Sequence, residues 1–195
     1  MITEAPPYTT KVTQEEYLVR ERAAEYKSDY VYGEIRAMAG ASLAHNTINA
    51  NLTVEIGSQL KGKPCRPLTS DMRLLADPGG LYVYPDLTVV CEEPILADDK
   101  LDILVNPTLI FEILSRSTES YDRGLKAIRY REIESLREYV FISQEEPLIE
   151  RYSRQPDGLW LIETVRGLTA SVHIASIDCT LALAEIYDRV EFGVS

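Results

Sequence analysis

The sequence predicts an α/β (α+β) fold in which helices flank a central mixed β-sheet. Residues 109–114 are apolar except for Glu112 and follow Pro107, a pattern typical of a short buried strand. A long helix is predicted for residues 42–60, where apolar residues recur at every fourth position (Ile48, Leu52, Ile56 and Leu60). Because a strand that is apolar on both faces is normally covered by helices on both sides, the two patterns together predict a layered structure.

The other predicted elements give the order αβ(hairpin)αβββαβββα. Before the long helix we expect a helix at residues 14–26, which begins with a capping box at Thr13 and Glu16, and a hairpin at residues 29–38. After it we expect strands within residues 67–76 and 83–90, the acidic loop 91–106 and the 109–114 strand. The remaining elements are a helix ending near residue 135, strands at 137–143, 147–153, 159–165 and 172–174, and a terminal helix at 181–190.

Length and composition indicate a single domain, residues 1–195, with a loose arm at residues 1–12. Apolar residues make up 45% and charged residues 26%, the balance of an ordinary globular protein. No apolar run approaches the roughly 18 residues of a membrane span, and the first residues lack the basic start and apolar core of a signal peptide. We therefore expect a cytoplasmic protein without a membrane segment.

The three cysteines give no sign of a cross-link or a metal site. Cys65, Cys91 and Cys179 are odd in number, far apart and in no Cys-x-x-Cys pair. Neither a disulfide framework nor a zinc site is therefore indicated. We expect a small buried hydrophobic residue at each position.

The chain is strongly acidic, with a net charge of −11 and a pI near 4.7. A protein that holds nucleic acid by general attraction to phosphates needs a basic surface. The charge balance argues against that mode of binding. Contact with a polyanion would need local Lys and Arg residues, bridging cations or a partner.

Two acids, Asp86 and Glu112, stand in segments that are otherwise apolar and β-branched. A bare ionised carboxylate in a buried strand is very unfavourable, so each must be neutralised, paired or bound to metal. Two carboxylates at the same level of adjacent strands would form an oxygen site for Mg²⁺ or Mn²⁺. Two structural alternatives stay open: Asp86 is an exposed acid in a turn, and Glu112 is paired with Arg73 or Arg116.

Two predicted helices contribute further polar candidates. His45 and Asn49 lie one turn apart on the inward stripe of the 42–60 helix, where a histidine hydrogen-bonded within the core is the alternative interpretation. Asp122, Lys126 and Tyr130 fall along one side of the helix that follows residue 118. Asp122 and Lys126 would equally suit a surface ion pair.

The order of these residues resembles the PD-(D/E)xK nuclease superfamily, whose shared core is helix, three strands, helix, strand. More closely, the chain resembles the restriction-endonuclease-like family of small bacterial proteins called Uma2. The matching motifs cover nearly the whole chain and are Gly33-Glu34-Ile35, Met38-Ala39-Gly40, His45 through Leu52, Asp71-Met72-Arg73, Tyr84-Pro85-Asp86-Leu87, Phe111-Glu112-Ile113-Leu114-Ser115, Asp122 with Lys126 and Tyr130, and Leu183-Ala184-Glu185-Ile186-Tyr187.

The resemblance implies a restriction-endonuclease-like core and a metal-dependent nuclease. Asp86 and Glu112 would hold Mg²⁺ or Mn²⁺, with the carbonyl of Ile113 as a further ligand. Lys126 would serve the attacking water or the charge of the transition state. The supporting residues would be His45, Asp122 and Tyr130, with Asn49 and Asp71 as weaker candidates.

One departure from the superfamily pattern concerns the lysine. The pattern places a Lys two residues after the strand acid, where this chain has Leu114. The resemblance implies that Lys126, on the following helix, takes its place. A long Lys side chain from a helix packed on the end of the strand can reach such a site.

The leading functional hypothesis is an endonuclease that hydrolyses DNA phosphodiester bonds with a metal-activated water. The absence of Lys at position 114 and the acidic charge favour an alternative, a nuclease-fold binding or assembly module that does not cleave. A third hypothesis is a metal-dependent hydrolase of another phosphorylated substrate. Because symmetric pairing is the commonest form of association, we also expect a homodimer.

Overall fold

The computed structural model describes residues 11–38 and 40–192. The arm predicted for residues 1–12 lies almost entirely outside the described residues, as does Ala39. The helices are α1 (Gln14–Ala23), α2 (Leu43–Leu60), α3 (Glu119–Tyr121), α4 (Ala127–Glu132) and α5 (Leu183–Ile186), with a π-helical segment (Asp122–Lys126) between α3 and α4 and a 3₁₀ turn (Ala175–Ile177). In the described part of the chain, no helix is long and apolar enough to cross a membrane.

The strands are β1 (Ser28–Val31), β2 (Glu34–Ala37), β3 (Arg66–Thr69), β4 (Arg73–Asp77), β5 (Leu81–Val83), β6 (Leu87–Val90), β7 (Ile103–Leu104), β8 (Leu109–Leu114), β9 (Glu138–Ser143), β10 (Leu148–Arg154), β11 (Trp160–Arg166), β12 (Ser171–Ile174) and β13 (Cys179–Ala182). They form a six-stranded sheet in the order β11-β10-β9-β8-β6-β3 and a five-stranded sheet in the order β2-β1-β5-β4-β7. Strands β12 and β13 pair separately. The six-stranded sheet is mixed, as predicted, because β8 runs parallel to β9 and antiparallel to β6.

Helices cover both faces of the six-stranded sheet at β8. Phe111 and Ile113 share one apolar cluster with the inward stripe of α2. Ile110 and Leu114 point to the other face and pack in a second cluster with Ala127 of α4. All six residues of β8 are buried, which confirms the layered arrangement predicted from the sequence.

The prediction of a single strand for residues 83–90 is wrong, because this segment is divided between two strands, β5 and β6. The break falls at Tyr84-Pro85-Asp86, and the two strands join different sheets. Pro85 has no backbone N–H to donate, so a continuous ladder cannot run through it. Asp86 therefore lies where the chain passes from one sheet to the other.

Two predicted helices are shorter than expected. The capping box of α1 is confirmed, since Thr13 Oγ1 accepts a hydrogen bond from Glu16 N at 3.2 Å, but α1 ends at Ala23. The terminal helix is confined to α5. The residues before it form β13, because Leu181 lies opposite Val172 in a pair with β12.

Two of the cysteines are cross-linked, so the expectation of small hydrophobic residues is wrong for them. The sulfur atoms of Cys65 and Cys91 lie at bonding distance, 2.08 Å. The antiparallel pairing of β3 with β6 sets Arg66 opposite Val90, which makes the two cysteines neighbours at the strand ends. Cys179 is free and buried, as expected.

Candidate active site

Asp86 is held in a fixed position at the start of β6. Its Oδ2 accepts a hydrogen bond from Ile113 N at 2.7 Å, and its Oδ1 lies 3.3 Å from His45 Nε2. The side chain is 16% exposed. The alternative interpretation of Asp86 as an exposed turn residue therefore does not hold.

Glu112 projects from β8 toward the helical segment that follows it. The residue is 4% exposed, and its Oε1 accepts hydrogen bonds from Tyr130 O–H at 2.6 Å and from Lys126 Nζ at 3.2 Å. The two arginines that might have neutralised it have other partners. Arg73 donates to the Tyr84 hydroxyl, and Arg116 pairs with Glu145.

The π-helical segment delivers Lys126 and its second partner. Lys126 Nζ lies 2.9 Å from Asp122 Oδ1, and both residues are buried. The pair is therefore not the surface ion pair that the sequence left open. π-helical turns are rare, and they are found frequently at functional sites. We refer to these residues together as the buried cluster: His45, Asp86, Glu112, Asp122, Lys126 and Tyr130.

His45 reaches the buried cluster from the first turn of α2, whose N-cap is Ser42. Burial lowers the pKa of His45, but its hydrogen bond to Asp86 and the charges of Asp86 and Asp122 raise this pKa overall. When Nε2 carries the proton toward Asp86, Nδ1 is an acceptor. Among the described residues, neither His45 Nδ1 nor Asn49 Oδ1 has a hydrogen-bond partner, although both atoms are buried.

Asp29 is a further buried acid that nothing in the sequence singled out. It lies in β1, is 6% exposed, and accepts a hydrogen bond from Tyr84 N at 3.3 Å. Burial raises the pKa of Asp29, and the positive charge of Lys126 opposes this shift. All four residues of β1 are buried, so the reasoning that singled out Glu112 applies to Asp29 as well. It was missed because a hairpin strand usually leaves one face in water.

Asp71 lies outside the buried cluster. Its side chain is 87% exposed, and Oδ1 lies 3.0 Å from Lys27 Nζ. An exposed pair of this kind contributes little to stability. The structure therefore does not bring this weaker candidate to the other site residues.

Negative charge is in excess within the buried cluster. Burial is the main reason that the pKa of Glu112 is raised to about 8; Lys126 opposes the shift, and Asp122 and Asp86 add to it. Burial lowers the pKa of Lys126, but the surrounding carboxylates raise it well above its ordinary value, so the amine stays charged. The excess charge must be removed by protons or balanced by a bound cation.

Asp86 and Glu112 are the residues that would hold a magnesium ion of the kind that keeps several waters. Among residues 11–38 and 40–192, no group of three or more His, Cys, Asp or Glu side chains is arranged to enclose a metal ion. Mg²⁺ does not need such a cage, since it is commonly bound through one or two carboxylates and keeps waters. Asp86 and Glu112 supply two carboxylates, and the excess negative charge around them favours a cation.

A mixed sheet with helices on both faces, and an Asp, a Glu and a Lys gathered at β8, define a restriction-endonuclease-like protein. The chain belongs to the Uma2 family, described as "putative restriction endonuclease", whose family model matches residues 14–184. The resemblance inferred from the motifs is thereby confirmed.

Relatives and a solved structure agree with this assignment. Two uncharacterized proteins of Synechocystis sp., sll1609 and slr1290, are 37% identical over 86% of this chain and 32% identical over 93% of it, and the matches cover 95% and 94% of those proteins. A crystal structure from Anabaena variabilis, described as "a putative nuclease belonging to DUF820", matches with a TM-score of 0.73 over 90% of this chain and 97% of that one. At 20% identity, this last match concerns the fold.

Proposed function

We propose that the protein is a metal-dependent endonuclease that hydrolyses phosphodiester bonds of DNA. The observation that carries the proposal is the contact of Lys126 with Glu112 at 3.2 Å, in a cluster that also contains Asp86. A structural ion pair would balance its charges, whereas this cluster has a surplus of carboxylates. Carboxylates beside a lysine are suited to hold a metal ion and a phosphate.

Each residue has a separate task in this proposal. Asp86 and Glu112 would hold Mg²⁺ or Mn²⁺, with the Ile113 carbonyl as a further ligand, and the bound ion would polarise the phosphate and lower the pKa of its water. Lys126 would orient the attacking water and stabilise the charge that develops on the phosphate. The supporting residues fix this geometry: Tyr130 holds Glu112, Asp122 holds Lys126, and His45 holds Asp86.

Because the chain has a net negative charge, the proposed divalent metal ion would matter for DNA binding as well as for hydrolysis. With a net charge of −11, the protein as a whole repels a polyanion. Arg116, which follows β8 directly and has a side chain that is 85% exposed, is paired with Glu145, so it adds little net positive charge near the end of that strand. We expect measurable DNA binding only when a divalent ion is present.

Cleavage of supercoiled plasmid tests the proposal. We expect nicked or linear product with Mg²⁺ or Mn²⁺ and none with EDTA, and the Glu112→Gln variant should lose the activity. Asp71→Asn is the matched control, because Asp71 is a surface acid outside the cluster, and it should cut at the wild-type rate. Intact plasmid with wild-type protein across divalent ions, strand forms and DNA types would overturn the endonuclease proposal.

One observation favours a second candidate, a binding or assembly module that does not cleave. Glu112 Oε1 already accepts hydrogen bonds from Tyr130 and Lys126, so the pair is satisfied within the protein. Calorimetry with Mn²⁺ separates the candidates, because the module would take up no metal through Asp86 and Glu112. If metal binds but DNA stays intact, small phosphodiesters are the next substrates to screen.

We also propose that the protein acts as a homodimer. Two copies of the site would then be available for the two strands of a duplex. Sedimentation with and without a short DNA duplex measures this directly. A monomer at all concentrations, in both conditions, would contradict it.

A further inference from the structure

An aromatic ring lies beside the Lys126 ammonium, in addition to the two carboxylates. Lys126 Nζ is 5.2 Å from the centroid of the Tyr121 ring. An ammonium within about 6 Å of a ring centroid is attracted to the face of that ring. Tyr121 ends α3 and directly precedes the π-helical segment. The proposed function assigns no role to this residue.

The contact between the ring and the amine depends on the π-helical geometry. Ala127 N donates a hydrogen bond to the Asp122 carbonyl, five residues back, which is the spacing of a π-helix. Tyr121 and Lys126 are also five positions apart. In an α-helix such residues are about 140° apart around the axis, whereas the wider turn of a π-helix sets them on the same side. The π-helical segment therefore explains why the ring lies beside the amine.

The ammonium thus has contacts of two kinds, with carboxylates and with a ring. Asp122 Oδ1 lies 2.9 Å from Nζ, and Glu112 Oε1 lies 3.2 Å from it. Burial, followed by the charge of Asp29, raises the pKa of Tyr121, so its hydroxyl stays protonated and the side chain is neutral. A neutral ring offers a cation its negative face. It can hold the ammonium without adding another negative charge to a cluster that already has a surplus of carboxylates.

We propose that Tyr121 is a positioning residue that acts through Lys126. Its ring keeps the ammonium in contact with Glu112, instead of letting it withdraw toward Asp122, which belongs to the same segment. The amine then stays beside the acid that would hold the metal. This inference rests on the proposed function and gives the π-helical segment a role in it.

The same ring contacts a second cation, which supplies the structural alternative. Arg36 Cζ also lies 5.2 Å from the centroid of the Tyr121 ring, and the Arg36 side chain is 47% exposed. If the ring served only to hold β2 through Arg36, losing that contact would matter as much as losing the ring. Arg36→Gln removes this contact and keeps the one with Lys126, so it is the matched control.

Two substitutions separate the ring from its hydroxyl, since Tyr121→Leu removes both and Tyr121→Phe removes only the hydroxyl. We expect Tyr121→Leu to lower kcat for plasmid cleavage at least about tenfold, with KM and the affinity for Mn²⁺ nearly unchanged because the metal ligands stay in place. At saturating DNA, Tyr121→Phe and Arg36→Gln should each keep kcat within about twofold of wild type. In crystal structures, Lys126 Nζ should have moved away from Glu112 Oε1 in Tyr121→Leu and not in Tyr121→Phe.

Wild-type kcat in Tyr121→Leu, or an equal loss in Tyr121→Phe or Arg36→Gln, would show that the ring does not act through Lys126, and the inference would be wrong. If Tyr121→Leu does not fold, Tyr121→Met is a second variant without the ring, and the same loss of kcat is expected. If the wild-type protein cuts no DNA, the proposed function fails separately. The position of Lys126 in the crystal structures of the variants then still decides whether the ring holds the ammonium.

Discussion

Lys126 Nζ lies 3.2 Å from Glu112 Oε1, although the two residues are 14 positions apart and belong to different elements. In the superfamily pattern the lysine stands two residues after the strand acid, where this chain has Leu114. Leu114 packs instead in the apolar cluster beside α4. The amine reaches the acid from the π-helical segment, which is the relocation that the sequence resemblance implied.

Replacing Lys126 with Met should reduce stability and cleavage together. Lys126→Met leaves Glu112 and Asp122 buried without their cation, and breaking a buried pair in this way costs about 3–5 kcal/mol. Cleavage should fall about 100-fold or more, because the developing charge on the phosphate loses its partner. Urea unfolding and plasmid cleavage measure the two effects.

In the double variant Lys126→Met/Glu112→Gln, the loss of stability should be smaller than the sum of the losses in the two single variants. Losses that simply add would contradict a coupled pair.

Removal of the Tyr130 hydroxyl should loosen Glu112. Tyr130→Phe deletes the 2.6 Å hydrogen bond to Oε1, which should cost about 1–2 kcal/mol of stability and slow cleavage about tenfold. Tyr187→Phe is the matched control, because that hydroxyl donates to the Leu148 carbonyl at 2.8 Å. The control should lose stability and keep its cleavage rate. Equal rates for both variants would show that Tyr130 does not orient Glu112.

Asp102 should make stability depend on pH in the acid range. The hydrogen bond from Arg22 lowers the pKa of Asp102, burial opposes this shift, and the charge of Arg73 adds to it. A carboxylate with a lowered pKa stabilises the fold above its unfolded pKa of about 3.9 and loses that effect as the pH falls through its folded pKa. Because the pair is partly exposed, Asp102→Asn should cost at most about 1 kcal/mol at pH 6, measured by urea unfolding. Wild type and variant should converge once the pH lies below the folded pKa of Asp102, and a difference that persists there would rule out the charge as its cause.

The cross-link between Cys65 and Cys91 should be visible in a thiol assay. Under denaturing, non-reducing conditions we expect Cys179 to be the single reactive thiol. The bridge closes a loop with a sequence separation of 26, so reduction should lower stability by about 3 kcal/mol. Three reactive thiols in freshly purified protein would contradict the cross-link. They would agree with the cytoplasmic location expected from the sequence, where disulfides are rare.

The parts of the fold that could be predicted have local signals. The inward stripe of α2 repeats along one segment, and β8 is a short apolar run after a proline. The predictions that were wrong concern pairings between residues that are distant in the sequence. The partner of Leu181 is Val172, and Cys65 meets Cys91 only because β3 pairs with β6.

The site could be predicted in part because a buried charge is conspicuous in an apolar strand. That reasoning identified Glu112 and Asp86, and the helical spacing together with the order of the motifs added Lys126. The order of the motifs could not distinguish an exposed acid from a buried one. Asp71 was therefore included among the candidates, although its side chain is 87% exposed. Asp29 was missed for the opposite reason, because the burial of both faces of β1 cannot be seen in the sequence of a hairpin strand.

Diffraction from crystals grown with Mn²⁺ tests the central claim most directly. We predict an anomalous peak within coordination distance of carboxylate oxygens of both Asp86 and Glu112, with the Lys126 amine beside it and no peak in crystals of the Glu112→Gln variant. No peak at these carboxylates in crystals of active protein, or a peak elsewhere with both acids still in their metal-free contacts, would contradict the account.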